Sequence, residues 1–126
     1  MMTLEASRRQ MGAFLDRFHV ALCPTIPSDL YALGTLAPAL ERDELIRRTE
    51  QLAGYTPVHN MAGVPAMSVP LHVGSNGWPI GSHFAAPRGR EATLLSLAYE
   101  LEAAVPWRHR RPPITASAEA SSGVTA

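Results

Sequence analysis

The sequence predicts a layered α/β or α+β fold with about three strands and four helices. Three observations lead to this prediction. Apolar residues recur at helical spacing in some segments and form short continuous runs in others. Eleven prolines and nine glycines divide the 126 residues into short elements. An Asn-Gly pair, a strong hairpin signal, separates two of the apolar runs.

The first predicted elements are a helix over residues 4–19 and a short strand over residues 20–23. The helix has an apolar stripe at positions i, i+3, i+4 and i+7, which is formed by Met11, Phe14, Leu15 and Phe18. The strand is an unbroken apolar run that Pro24 stops. Such a run is typical of a strand that is covered on both faces.

A proline-rich loop over residues 25–38 leads into a second helix over residues 41–52. A short third helix has signals at both ends. Thr56 occupies its predicted N-cap, and Pro57 comes first in the helix, where a missing N–H costs nothing. Gly63 can adopt the left-handed conformation that closes the last turn.

The second half of the chain is predicted to form a hairpin and a longer helix. The hairpin strands cover Ala66–Val73 and residues 80–86, and Pro70 places the first strand at a sheet edge or a bulge. The helix covers residues 91–105. We expect residues 117–126 to be a disordered tail, because they are small and polar.

The composition excludes several kinds of partner. Eleven arginines balance eleven acidic residues, so no net field steers the chain toward nucleic acid or an anionic membrane. No apolar run approaches the ~20 residues that span a bilayer, and the N-terminus lacks the apolar core of a signal peptide. A single cysteine cannot form an internal disulfide. We therefore expect a cytoplasmic protein without a cofactor.

A sheet of three strands leaves two edges open. Both predicted hairpin strands are apolar, and an exposed apolar edge invites pairing or aggregation. On physical grounds we expect that part of the fold lies outside this sequence.

Seven short motifs follow one another in order over residues 17–113. They are Cys23-Pro24-Thr25, Tyr55-Thr56-Pro57, Asn60-Met61-Ala62-Gly63-Val64-Pro65-Ala66-Met67-Ser68-Val69-Pro70, Gly77-Trp78-Pro79-Ile80-Gly81, Gly89-Arg90-Glu91-Ala92-Thr93-Leu94-Leu95, Pro106-Trp107 and Arg110-Arg111-Pro112-Pro113. In this order and spacing they resemble the C-terminal part of the amidase-signature hydrolases. The segments 55–60 and 82–86 are most similar to the branch that includes the cyclic-dimer nylon-oligomer hydrolases.

This resemblance implies the C-terminal part of the mixed-sheet amidase fold over residues 1–116, and hydrolysis of an amide C–N bond as the reaction class. Family members use a Ser–cis-Ser–Lys triad, and N–H groups of a Gly/Ser-rich stretch stabilise the oxyanion. The chain contains no lysine and no such stretch. We therefore assign no catalytic residue and expect the chain to be inactive alone.

Two hypotheses for function follow. In the first, the chain is the C-terminal fragment of an amidase, either a gene remnant or a piece that pairs with a separately encoded N-terminal portion, and a small amide substrate binds only to the complete enzyme. In the second, it is a free-standing, non-catalytic interaction module derived from an amidase. An upstream reading frame that encodes the lysine and the Gly/Ser-rich stretch would distinguish the first from the second.

The reactive side chains of the chain give no further catalytic or metal site by spacing alone. Cys23 lies in an apolar run, which is typical of a buried structural thiol. His59, His72 and His83 are 13 and 11 residues apart, which matches no usual zinc pattern and predicts no metal site. Ser68 and His72 lie at i and i+4 of one strand without an acid to complete a triad.

His59 and Asn60 are the candidate substrate-binding residues. They lie on the short third helix, just before the turn at Gly63. In the family, the matching element lies near the substrate cleft, so a polar side chain at this junction can point into it. The alternative is that Asn60 only satisfies nearby backbone groups.

Overall fold

A computed structural model describes residues 4–27 and 32–111 of the chain. Its elements are α1 (Leu4–Leu15), β1 (Ala21–Pro24), α2 (Arg42–Ala53), α3 (Thr56–Ala62), β2 (Ala66–Val73), β3 (Pro79–Ala85) and α4 (Glu91–Ala104). Four helices and three strands follow one another in the predicted order, so the predicted fold class is confirmed. The predicted tail over 117–126 lies outside the described residues.

Strand β3 is the centre of the sheet. The strand order is β1-β3-β2, and β3 pairs antiparallel with both neighbours. The turn between β2 and β3 uses the predicted Asn-Gly pair. Gly77 has a φ of 82°, and Oδ1 of Asn76 accepts a hydrogen bond from the Trp78 N–H at 3.1 Å. The hairpin is therefore confirmed, and β1 joins it from far earlier in the chain.

Strand β2 carries a bulge at Pro70. Its pairing with β3 shifts register between Val69 and His72. Proline has no N–H to donate to a ladder, so it is tolerated in a sheet only at an edge or a bulge. Here both conditions hold, as the sequence predicts. The Pro70 carbonyl accepts a hydrogen bond from the Arg110 guanidinium at 2.8 Å, which joins the bulge to the segment after α4.

Strand β1 differs from its prediction. An unbroken apolar run predicts a strand covered on both faces, but β1 lies at the edge of the sheet and Leu22 is 65% exposed. The prediction of a covered strand is therefore wrong for the described residues. Only the side chains of Ala21 and Cys23, on the other face, are partly buried.

Helix α1 ends four residues before its predicted end. Beyond Leu15 the Arg17 and Phe18 N–H groups donate to carbonyls three residues back, at 3.2 and 2.9 Å. Bonds of this kind tighten the last turn and end an α-helix. Phe18, which the apolar spacing places in this helix, therefore lies beyond the end of α1.

The other helices agree closely with their predicted limits. Helix α2 matches its prediction to within one residue at each end. Tyr55 rather than Thr56 is the N-cap of α3, and the Thr56 hydroxyl donates to the Ala53 carbonyl at 3.3 Å instead of capping the helix. Gly63, with a φ of 64°, closes α3 as predicted. No helix among residues 4–27 and 32–111 is long and apolar enough to cross a bilayer.

The core lies between one face of the sheet and helix α4. Its buried centre consists of Val69, Phe84, Ala86 and Leu94. Leu97, Ala98, Leu101 and Trp107 pack around this centre and are partly buried. Successive strand residues point to opposite faces, so Phe84 faces α4 whereas His83 faces the opposite side of the sheet. That opposite side meets α3.

Much apolar surface is uncovered within the described residues. Phe14 and Phe18 of the predicted stripe are 47% and 46% exposed, and their ring centroids lie 5.1 Å apart. Leu15 of the same stripe is completely buried. Other exposed large apolar side chains include Leu4, Ile46, Trp78, Leu95 and Tyr99. Among the exposed side chains, Phe14 and Phe18 form one contiguous apolar pair that a partner could cover.

We predict that residues 1–126 fold poorly in isolation. Two open sheet edges and the exposed Leu22, Phe14 and Phe18 side chains favour association over a closed core. The purified chain should form oligomers in size-exclusion chromatography, bind an apolar dye and unfold over a broad temperature range. A monodisperse monomer with a cooperative melt at about 45–65 °C would contradict this prediction and favour the free-standing interaction module.

Candidate functional site

One row of the sheet gathers side chains from all three strands. In the antiparallel register Cys23 of β1 and Ser68 of β2 are both Cα partners of His83. Directly opposed residues share a face, so the three side chains lie side by side on the face opposite α4. Sγ of Cys23 lies 3.6 Å from Nδ1 of His83, although the two residues are 60 positions apart in the chain.

Helix α3 places a fourth side chain against this row. His59 lies on this helix, and its ring centroid lies 4.8 Å from that of His83 at an interplanar angle of 39°. Both rings are more than nine-tenths buried, with 7% of His59 and 8% of His83 exposed. The site is therefore built by β1, β3 and α3 together.

Burial sets the protonation of this cluster. It lowers the pKa of His59, and the Tyr55 backbone partly opposes this shift. It also lowers the pKa of His83, and the nearby His59 ring lowers that pKa further through its charge. Burial also raises the pKa of the Cys23 thiol. Near pH 7 the cluster therefore holds two neutral imidazoles and a protonated thiol. A protonated thiol is a poor nucleophile.

One polar atom of the cluster has no hydrogen bond of good geometry among the described residues. Nδ1 of His59 is buried, and no contact within residues 4–27 and 32–111 meets hydrogen-bond geometry for it. Leaving a buried polar atom unpaired costs about 1–3 kcal/mol. A buried polar atom of this kind therefore needs an explanation, and Nδ1 of His59 is available to bind a group that the chain itself does not supply.

Next to the cluster, three of the sequence motifs meet at Gly81. Oγ1 of Thr25 and Oγ of Ser68 hydrogen-bond at 2.5 Å across β3, and the Thr25 N–H donates to the Gly81 carbonyl at 3.0 Å. A Cβ at position 81 would lie 2.5 Å from the Thr25 hydroxyl and 2.6 Å from the Ser68 hydroxyl. Glycine is therefore required there because the two hydroxyls pass over the strand.

The same contacts show how Ser68 and His72, at i and i+4 of one strand, are placed relative to each other. Ser68 is committed to Thr25, and the bulge shifts the register between Val69 and His72. No hydrogen bond joins Ser68 to His72 in the described part of the chain.

A cavity of about 540 Å³ opens beside the cluster. It is lined by Thr56, Pro57, His59, Asn60, Val64, Ala66 and His83. Asn60 is exposed there and His59 is buried. Both candidate substrate-binding residues thus line one cavity, and their contact with a substrate stays a prediction.

Sequence reasoning did not bring Cys23, His59 and His83 together. Spacing rules recognise ligands that are close in sequence, whereas these three come from two strands and a helix that only the sheet register unites. The signal that reveals the group is the sheet register. In this register His83, on the second strand of the hairpin, lies opposite the edge strand that carries the single cysteine. His72, the third histidine considered, is exposed elsewhere on β2.

Comparison with known proteins identifies the family. The profile of the Amidase family matches residues 1–95 of the chain. The chain belongs to the amidase family. The putative amidase AmiC of Mycobacterium tuberculosis is 40% identical over 113 residues, which is 90% of this chain and 24% of AmiC. The 6-aminohexanoate-cyclic-dimer hydrolase of a Pseudomonas strain is 36% identical over 99 residues, which is 74% of this chain and 20% of that protein.

A solved amidase structure extends the match to three dimensions. The 6-aminohexanoate cyclic dimer hydrolase, in complex with its substrate, superposes with a TM-score of 0.80 at 30% identity. The superposition covers 87% of this chain and 24% of the hydrolase chain. The chain thus spans about a quarter of the length of the relatives it matches and corresponds to their C-terminal part. The predicted resemblance to the amidases, including the cyclic-dimer branch, is confirmed.

We predict that Gly81→Ala destabilises the sheet by about 1–3 kcal/mol, because the new methyl group would displace the Thr25 and Ser68 hydroxyls. The matched control is Gly12→Ala in α1, where a Cβ would meet no atom within 4 Å. Replacing a helical glycine by alanine should stabilise α1 by roughly 0.5–1 kcal/mol. Urea unfolding midpoints of the two variants test the difference, and equal midpoints would show that the hydroxyl pair does not constrain position 81.

Proposed function

We propose that this chain forms the C-terminal sheet and one wall of the substrate cleft of an amide-hydrolysing enzyme, whose nucleophile and base come from a separate N-terminal portion. The observation that carries the proposal is the superposition of 87% of the chain on a quarter of a cyclic-dimer hydrolase. The chain has no lysine, so it cannot supply the base that the family uses.

The uncovered surfaces support a partner portion of this kind. β1 ends the sheet with Leu22 exposed, and the Phe14–Phe18 pair lies outside the core. An edge strand and an aromatic pair can both be buried by a second portion of the same fold, which would extend the sheet and cover the apolar side chains. The partner would thus complete the core and the catalytic site together.

The cavity beside α3 supports a small amide as the substrate. The exposed Asn60 side chain offers both a donor and an acceptor, which match the carbonyl and N–H of an amide group. His59 and His83 supply neutral rings at the inner side of the same cavity. We assign Asn60 to substrate contact and the two rings to the inner wall of the cavity, and none of the three to bond cleavage.

The composition supports a cytoplasmic enzyme that binds neither nucleic acid nor membrane. A single cysteine suits a reducing compartment. Zero net charge provides no field for a polyanionic partner.

We predict that the purified chain does not hydrolyse amides and that an N-terminal amidase portion restores activity. Removal of a nucleophilic unit costs on the order of 10⁶-fold in rate, so aryl amides and a cyclic amide should give no product above buffer. A chimera in which this chain replaces the C-terminal quarter of the cyclic-dimer hydrolase should hydrolyse the cyclic dimer. The hydrolase that lacks its own C-terminal quarter should not.

The chimera that carries Gly81→Ala should lose stability and activity together, because the substrate cleft depends on this sheet being formed. A monodisperse, cooperatively folding chimera without activity would contradict the proposal. So would turnover by the chain alone that survives repurification and disappears in the Cys23→Ala or Ser68→Ala variant.

A further inference from the structure

Cys23, His59 and His83 form a compact group of metal-ligating side chains. Each offers one ligand atom, and these atoms all lie within 4.8 Å of one another. The three residues come from β1, α3 and β3, so the group exists only when the sheet and α3 are assembled. Two of the three side chains are buried and the third is partly buried.

The distances are close to those of a tetrahedral metal site. With Zn–S of about 2.3 Å and Zn–N of about 2.0–2.1 Å, tetrahedral geometry separates a sulfur and a nitrogen ligand by about 3.6 Å and two nitrogens by about 3.4 Å. Sγ of Cys23 and Nδ1 of His83 already lie 3.6 Å apart. The widest separation in the group is 4.8 Å, and rotation of the His59 side chain would have to close about 1 Å.

We propose that Cys23, His59 and His83 bind one Zn²⁺ ion, with the fourth coordination position open to the cavity beside Asn60. The buried Nδ1 of His59 supports the proposal, because the Tyr55 backbone, which acts on the pKa of this ring, does not form a hydrogen bond of good geometry with it. The cavity lined by His59 and His83 provides a route of entry and space for a water ligand.

The ligand set selects the metal. One thiolate and two neutral imidazoles suit zinc, whereas magnesium and calcium require oxygen ligands. Binding releases the thiol proton of Cys23 to solvent, since the thiolate is the form that coordinates. Three protein ligands and an open fourth position are typical of zinc sites that keep an exchangeable water.

The main alternative is a Cys–His pair that acts as a nucleophile. Such a pair needs one histidine as its base, and His83 beside Cys23 could fill that role, but the pair gives no role to the His59 ring whose centroid lies 4.8 Å from that of His83. A simple thiol–imidazole hydrogen bond accounts for the contact between Cys23 and His83, but it leaves His59 stacked beside them with a buried nitrogen unpaired. A bound ion accounts for all three side chains.

Cobalt titration of the full chain in a phosphine reductant tests the site. One equivalent of Co²⁺ should produce a thiolate-to-cobalt charge-transfer band and intense visible bands of tetrahedral cobalt, and Zn²⁺ should abolish both. Cys23→Ser should remove the charge-transfer band. His59→Gln and His83→Gln should weaken binding on the order of tenfold or more, since even the loss of an outer-shell partner costs that much. The matched control His72→Gln, at an exposed histidine of the same sheet, should bind as the parent does.

Alkylation of Cys23 provides a second measurement that does not depend on the solubility of a variant. Zn²⁺ should protect the thiol from iodoacetamide, a chelator should reverse the protection, and His83→Gln should lose it. Equal alkylation rates with and without Zn²⁺ would overturn the proposal. So would cobalt spectra that are the same in the parent, in the His59 and His83 variants, and in the urea-unfolded chain, because they would show binding by the thiol alone.

Discussion

The double pairing of β3 is the constraint on which the rest of the structure depends. This strand comes last in the sheet by sequence, yet it receives β1 on one side and β2 on the other. Its alternation sends Phe84 to the α4 core and His83 to the α3 face. A shift of one residue in register would exchange these two side chains, and both the core and the histidine cluster would be lost together.

Gly81 shows how closely the motifs of the chain are tied to this pairing. Three segments that are far apart in sequence contribute Thr25, Ser68 and Gly81 to one contact, in which the hydroxyls meet over a residue without a side chain. These three motifs therefore each have a physical reason within the sheet itself. The hydroxyl pair links β1 to β2 across β3 and so helps to set the register of both strands along β3. That register places Cys23 beside His83.

How much could be predicted from the sequence depends on the range of the interaction. Local signals located α3, the hairpin and its bulge, because Gly63, the Asn76-Gly77 pair and Pro70 each act on their own segment. Burial was predicted less well. The apolar run of β1 indicates a covered strand, but Leu22 is exposed, because what covers a strand is determined by neighbours that the run itself does not contain. The candidate site was half predicted: His59 and Asn60 were found through their motif, whereas the meeting of Cys23 with His83 required the long-range register.

The central claim is that this amidase-family chain presents an incomplete surface that a catalytic portion covers. Hydrogen–deuterium exchange measures this most directly, with the chain alone and after mixing with a cyclic-dimer hydrolase that lacks its C-terminal quarter. The account predicts slower exchange in the backbone of β1 and around Phe14 and Phe18 in the mixture, and unchanged exchange in the β2–β3 turn at Asn76. Identical exchange of β1 in both samples, from a chain that is folded in each, would contradict the account.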